Sequence, residues 1–428
     1  MHQRSGKFLR IFASALLAGA AHAQIPDVVI PDTEAPPITI PDIHTTTGNI
    51  APGAERALRR LAGARVLRIE QMSTDHRAEL ERDPAGELAV RAEVVAVDIS
   101  APALQRALEN KFLLKRTQEL ADLGVKISVL QTPGGWTARR GLKELRKLDP
   151  EGIYDYNHVY LDGGSAAAAA PAVPESTDAA RGTGRVGLID GGVDGGHQVF
   201  QNVRLQRFGC GGSVVPNAHG TAVAAILATH VSVDEIFTAD VYCGAPAGGA
   251  IDAVAAALGW LAREKVGVIN ISLVGPRNAL LERVVSTLVA RGFLIVAAVG
   301  NDGPSAPPLY PASYPGVVGV TAVDGNHRVL AEACRGEQVD FAARGADMKV
   351  ATQAPDVYAP VRGTSFAAPI VAALLVTDMA SPDAGARERA IAKWTGVAQD
   401  LGKRGRDNVY GAGELGEMRE AVAEKTNK

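Results

Sequence analysis

The chain has 428 residues, 46% of them hydrophobic and 21% charged, with a formal charge of −3. That length allows two or three domains and a substantial core. A charge so close to zero gives no electrostatic attraction to nucleic acid or to an anionic membrane surface, and neither is expected as a partner.

Arg4, Lys7 and Arg10 precede a short apolar core from Ile11 to Ala21, and Ala21-His22-Ala23 supplies a small-residue cleavage pattern. Residues 1–23 therefore read as an export signal that leaves Gln24 as the new N-terminus. The apolar run is too short to span a bilayer, and no later stretch reaches about 18 uninterrupted apolar residues. No cysteine stands directly after the cleavage pattern, where Gln24 follows instead, so a lipid anchor is not expected. The address is export, either periplasmic or extracellular. Residues 24–53 repeat Ile-Pro-Asp at Ile25, Ile30 and Ile40. Proline removes donors and favours extended geometry, which makes this a semi-rigid linker.

Residues 54–162 read as a small α+β domain. Leu88 to Val97 alternates in part and suggests a strand. Leu104, Leu108, Phe112, Leu120 and Leu123 fall close to helical spacing, which predicts a helix over Pro102–Leu123 stopped by Gly124. A strand at Val125–Leu130, a Pro133-Gly134-Gly135 turn, a basic helix at Thr137–Leu148 and a strand at Ile153–Leu161 complete it. No fourth strand is evident. Residues 163–184, with Gly163-Gly164-Ser165, an alanine run and two prolines, break all periodicity and form a flexible connector open to cleavage.

From Arg185 onward, strands alternate with helices. Strands are expected at Val186–Ile189, Ile236–Tyr242, Val266–Ile271, Phe293–Ala298 and Val317–Val323. Helices are expected at Gly220–His230, Ala250–Arg263, Asn278–Arg291 and Ser365–Met379. Continuous apolar strands between helices imply an α/β fold, a doubly wound and mostly parallel sheet covered on both faces. Functional groups then belong at the carboxyl ends of the strands. The last residues, Glu417 to Lys428, read as a solvated helix.

Chemistry concentrates in four motifs. Gly363-Thr364-Ser365 opens an Ala-rich helix, where a serine taken alone reads first as an N-cap and second as a nucleophile near a positive helix end; the motifs upstream reverse that order. Val186-Gly187-Leu188-Ile189-Asp190 is an apolar strand ending on a carboxylate. His219-Gly220-Thr221 places an imidazole at a helix start. Ala297-Ala298-Val299-Gly300-Asn301 is a buried strand delivering an amide. A serine hydroxyl becomes nucleophilic beside a base, and the base needs a carboxylate to hold its tautomer. With Asp190, His219 and Ser365 in that order, residues from about 185 to 415 resemble the subtilisin-like (subtilase, S8-type) serine peptidases.

The resemblance implies peptide-bond hydrolysis by an Asp190–His219–Ser365 triad, with Asn301 holding the oxyanion. It further implies that Ser272, Leu273, Val274 and Gly275 form a substrate-pairing strand, and that Ala298, Gly300 and Leu309 line the primary pocket. Val274 stands where that family usually has glycine, so a pocket narrowed toward Ala, Ser or Val is expected. By the same resemblance, polypeptides are the substrates and the chain's own N-terminal domain is an inhibitor and folding aid, which makes the protein a zymogen. No cofactor is required for the chemistry. Calcium often stabilises the family, but no D-x-D-x-D-G loop indicates it here.

Three cysteines, Cys210, Cys243 and Cys334, allow one disulfide and one thiol in an oxidising compartment. Cys210 and Cys243 flank the His219 helix and the following strand and are the preferred pair. None has metal-ligand spacing. Asp194 and His197 read as a surface loop. Gly182 to Gly187 spells G-x-G-x-x-G but precedes its strand, which excludes a dinucleotide loop.

Overall fold

The computed structural model describes residues 63–163, 165–166, 170–171, 183–229, 233–353 and 357–416. The export signal, the Pro-rich lead, most of the connector and the expected helix over Glu417–Lys428 lie outside the described residues.

The N-terminal part begins with a helix not foreseen from the sequence, α1 (Ala64–Asp75). Then come β1 (Leu80–Arg82), β2 (Leu88–Val97), α2 (Ala101–Glu109), β3 (Leu113–Leu120), β4 (Val125–Gln131), α3 (Ala138–Leu148) and β5 (Ile153–His158). The order β2-α2-β3-β4-α3-β5 is a split βαβ arrangement. Its strands lie side by side as β3-β4-β2-β5, all antiparallel, with β1 paired to the start of β2.

The fourth strand is β3, and it corrects the long helix expected over Pro102–Leu123. Ser100 caps α2 by accepting from the Ala103 N–H at 3.3 Å. Asn110 then closes the helix and Lys111 adopts φ +66°, a left-handed value that no helix continues. Along β3 only Leu120 is buried. An edge strand held by backbone pairing shows no alternation, and its leucines fell by coincidence at helical spacing. The strand expected over Ile153–Leu161 divides into β5 and a separate β6 (Leu161–Asp162).

Two short pieces follow, β7 (Ser165–Ala166) and β8 (Ala170–Pro171). The larger part then runs β9 (Gly184–Asp190), β10 (Arg204–Phe208), α4 (Ala218–Thr229), β11 (Val233–Asp240), α5 (Ile251–Arg263), β12 (Val268–Ile271), β13 (Leu273–Val274), α6 (Ala279–Ala290), β14 (Leu294–Ala298) and β15 (Val318–Val323). It closes with β16 (Phe341–Arg344), β17 (Met348–Ala351), β18 (Val357–Arg362), α7 (Thr364–Leu375), α8 (Ala384–Val397) and β19 (Glu414–Leu415). Eight strands pair in parallel in the order β10-β11-β9-β12-β14-β15-β16-β19.

Helices α4 and α7 bury one face of this sheet, and α5 and α6 bury the other. The N-terminal sheet lies against α5 and α6 with Val95, Val97, Ile127 and Val129 in the same apolar cluster. Its opposite face is covered by α2 and α3. The approach is close: a Cβ on Gly259 of α5 would come within 2.6 Å of Leu120 Cδ2. Polar groups fix the docking too. Asp155 accepts from the Ala279 N–H at 2.8 Å, a carboxylate at the start of α6 where unpaired donors favour it. Arg116 reaches Asp252 in the first turn of α5 at 2.7 Å.

His197 corrects the surface-loop expectation, being buried with its ring 5.1 Å from that of Tyr358. Cys210 and Cys243 are disulfide-bonded and Cys334 is a buried thiol, its pKa pushed up to about 12 by burial. Among the described residues one cluster has metal-ligand proximity, Cys210, Asp240 and Cys243, and its two sulfurs are joined to each other. No helix among the described residues is long and apolar enough to cross a membrane.

Candidate active site

β9 lies between β11 and β12, the point where strand order reverses, and Asp190 is its last residue. The Asp190 carboxylate is fully buried. It accepts the Gly191 N–H at 2.7 Å and meets His219 Nδ1 at 2.9 and 3.1 Å. His219 is the second residue of α4. Asn217 Oδ1 caps this helix through the N–H groups of His219 (2.8 Å) and Gly220 (3.1 Å). A Cβ on Gly220 would sit 2.2 Å from the Gly191 carbonyl oxygen, so only glycine lets the helix approach Asp190 this closely.

Ser365 is buried in the first turn of α7, after Gly363 at φ +141°. Its Oγ donates to the Ser272 carbonyl at 3.2 Å, while Ser272 Oγ donates back to the Ser365 carbonyl at 2.9 Å and accepts from Asn270 Nδ2 at 3.0 Å. His219 Nε2 is buried without a hydrogen-bond partner. Thus the Asp190–His219 pair is assembled and the Ser365 hydroxyl is turned to Ser272. Asn301 follows β14. Its Oδ1 accepts the Thr364 N–H at 3.1 Å, and Gly300 N–H donates to Thr364 Oγ1 at 3.2 Å, so the amide is held from the turn that carries Ser365.

The cleft between these groups is filled by the chain itself. β6 pairs antiparallel with β13, Leu273 opposite Asp162 and Val274 opposite Leu161. The next residue, Gly163, accepts a hydrogen bond from Asn301 Nδ2 through its carbonyl oxygen. A Cβ on Gly163 would lie 3.2 Å from Asn301 Nδ2, 3.3 Å from Ser365 Oγ and 3.7 Å from Val274 Cγ2. Beyond it, β7 pairs with Val361 and Arg362 of β18. Upstream, the fully buried Tyr160 lies over Gly275, where a Cβ would meet its ring at 2.8 Å, and its hydroxyl donates to the Pro276 carbonyl.

Of the residues expected to bind substrate, Leu273 and Val274 pair with β6, and Gly275 bridges Tyr310 on its other side. Gly300 has φ +100°, and a Cβ there would strike Leu309 Cδ1 at 2.5 Å, which puts Leu309 against this wall. Ala298 is buried at the end of β14. The Ser272 hydroxyl braces the Ser365 turn, accepting from Asn270 Nδ2 and donating to the Ser365 carbonyl.

Burial by itself disfavours a charged His219. The Asp190 carboxylate beside Nδ1, and then that of Asp162, outweigh burial and hold the imidazole above its ordinary pKa. Asp162 is held below the usual carboxylate range: burial opposes its charge, and His219 and Arg68 outweigh burial.

Sequence reasoning missed Tyr160, Asp162, Gly163, Arg68 and Thr364. The first three stand at the junction between the N-terminal domain (54–162) and the Gly/Ala connector (163–184), and that position was the available signal. Arg68 lies in α1, and nothing local in the sequence marks it.

A buried carboxylate–imidazole pair at the carboxyl edge of a parallel sheet, with a serine at a helix start and an amide donor beside it, is the arrangement of the subtilisin-like fold. The subtilase family profile (Peptidase_S8) matches residues 184–413, and the chain belongs to this family. Subtilisin BL of Lederbergia lenta is 36% identical over 165 residues, which are 36% of this chain and 61% of that protein. The minor extracellular protease Epr of Bacillus subtilis is 30% identical over 206 residues, 46% of this chain and 32% of Epr. The chain thus spans about three fifths of the first relative and a third of the second. Fervidolysin from Fervidobacterium pennivorans, described as a keratinolytic enzyme related to subtilisin, shares the fold with a TM-score of 0.64. It is 19% identical, with 78% of this chain and 61% of fervidolysin covered.

Proposed function

We propose that the chain is an exported serine endopeptidase made as a zymogen, its N-terminal domain seated in the active-site cleft. One observation carries this reading: Asn301 donates to a backbone carbonyl whose residue lies against Ser365 Oγ. A peptide carbonyl between an amide donor and a serine is poised for acyl transfer.

In the mechanism Ser365 Oγ turns from the Ser272 carbonyl to His219 Nε2, which takes its proton as the hydroxyl adds to the substrate carbonyl carbon. Asp190 keeps the Nδ1–H tautomer and stabilises the imidazolium. The Asn301 amide and the Ser365 backbone N–H receive the oxyanion. His219 then passes the proton to the leaving amine, and water hydrolyses the acyl-enzyme by the same relay.

Extended polypeptide substrates pair with β13 as β6 does, by backbone hydrogen bonds. Val274 and Leu309 narrow the primary pocket, favouring small side chains before the scissile bond. Residues 54–162 act as inhibitor and folding aid, and 163–184 is the region where they are released. No cofactor takes part in the chemistry; a stabilising calcium ion is compatible with it. Export to the periplasm or medium rests on residues 1–23 and agrees with a relative named as extracellular.

The test compares the wild type with Ser365→Ala by fluorophosphonate labelling and intact mass, before and after limited proteolysis of the N-terminal domain. Labelling of the wild type alone is expected. A wild type that stays unlabelled after proteolysis would overturn the proposal.

A further inference from the structure

We infer that the peptide bond after Gly163 is the chain's own cleavage site, and that Arg68 is the positioning residue that holds Asp162 beside it. This rests on the peptidase reading above and adds to it a specific bond and a cis-acting recognition device.

Three geometric facts select the bond. The Gly163 carbonyl oxygen is the acceptor of Asn301 Nδ2, the place where an oxyanion would form. β6 on its N-terminal side is paired antiparallel with β13, as an extended peptide adds to a strand, and β7 on its C-terminal side is paired with β18. Ser365 Oγ lies 3.3 Å from the Cβ position of Gly163, so a larger side chain would press on both Asn301 and Ser365. In the reaction Ser365 Oγ bonds to the Gly163 carbonyl carbon and the C–N bond to Gly164 breaks. The hydroxyl proton passes through His219 to the new amine. Water then hydrolyses the ester, freeing the Gly163 carboxylate and regenerating Ser365.

Asp162 makes this site unusual. Its largely buried carboxylate stands close enough to His219 to influence it, and a lone anion in such a place is costly. The cation bonded to it, Arg68, comes from α1 of the N-terminal domain. One turn earlier on the same helix, Arg65 is buried between Glu87 and Asp302, the latter at 3.1 Å and next in sequence to Asn301. Helix α1 is therefore pinned over the cleft at two points. The countercharge for Asp162 belongs to the segment being cut off. A detached peptide with the same Tyr-Leu-Asp-Gly residues brings no such cation, so aspartate at this position is recognised in cis.

The experiment refolds the full chain from denaturant and follows cleavage by intact mass and N-terminal sequencing. The variants are Ser365→Ala, Arg68→Ala and the double variant Arg68→Ala/Asp162→Asn, with thermal midpoints recorded to confirm folding. The wild type is expected to yield a fragment ending at Gly163 and one beginning at Gly164, and Ser365→Ala neither. Arg68→Ala should slow the cut at least about tenfold, and neutralising Asp162 as well should restore most of the rate. A merely structural Arg68 would leave the double variant as slow as the single. That result, or an unchanged rate in Arg68→Ala, overturns the positioning role. A wild type that labels with fluorophosphonate but is cut elsewhere, or not at all, overturns the assigned bond and leaves the peptidase reading intact. Absence of both labelling and cleavage, after limited proteolysis has opened the cleft, removes both.

Discussion

Asn301 Nδ2 donates to the backbone carbonyl of Gly163, a residue 138 positions earlier in the same chain. The same amide is anchored on its other side by the Thr364 N–H, at the turn that carries Ser365. One side chain thus links the peptide in the cleft to the helix that begins at Thr364-Ser365.

Asn301→Ala should lower kcat by about 10²–10³ with KM little changed, the scale known for losing one oxyanion donor in subtilisin itself. Steady-state kinetics on a peptide substrate provide the check. A loss confined to KM would instead mark Asn301 as a ground-state binder.

Thr364→Val removes the acceptor of the buried Gly300 N–H and should destabilise the fold by about 1–3 kcal/mol. Because Gly300 precedes Asn301, kcat should also fall, though less than in Asn301→Ala. Denaturant titration and kinetics on one preparation separate the two effects.

Val274→Gly and Leu309→Ala should each widen the primary pocket. Cleavage profiling in a peptide library is expected to show at least about a tenfold relative gain for Leu or Phe over Ala before the scissile bond, the scale of a methylene or two in an apolar pocket. Unchanged profiles in both variants would mean that these side chains do not border that pocket.

His219 is held above its ordinary pKa in the folded chain, so its protonation favours folding. That contribution is complete below about 6.5 and is lost as pH rises through the raised value. Asp162, held low, contributes above its ordinary value near 3.9 and loses this as pH falls through the lowered one. In the inactive Ser365→Ala chain, NMR titration should find His219 titrating above 6.5, and Asp162→Asn should bring it down. An unmoved His219 would show that the two groups do not interact.

Cys210 and Cys243 close a loop across a separation of 33 residues. On the chain-entropy account, the Cys210→Ser/Cys243→Ser variant should lose about 3–4 kcal/mol of stability, read as a lower denaturant midpoint. Cys334, a buried single thiol, should resist alkylation in the folded state.

The sequence by itself determined the α/β class, the family and the motif residues. These are local signals: an apolar strand must end somewhere, and Asp190 marks that end; His219-Gly220-Thr221 opens a small-residue helix. Glycine motifs were legible because Gly220 and Gly363 are required by close approach and by φ. The edge strand Leu113–Leu120 was not legible, since it buries only Leu120 and draws its stability from backbone pairing with Val125–Gln131. His197 looked exposed among glycines, yet distant residues such as Tyr358 cover it. Only the tertiary structure decided that Gly163 enters the cleft, that Arg68 meets Asp162 and that Ser365 turns to Ser272. Each contact joins segments far apart in sequence, and pairing energies across such distances leave no periodicity in either segment.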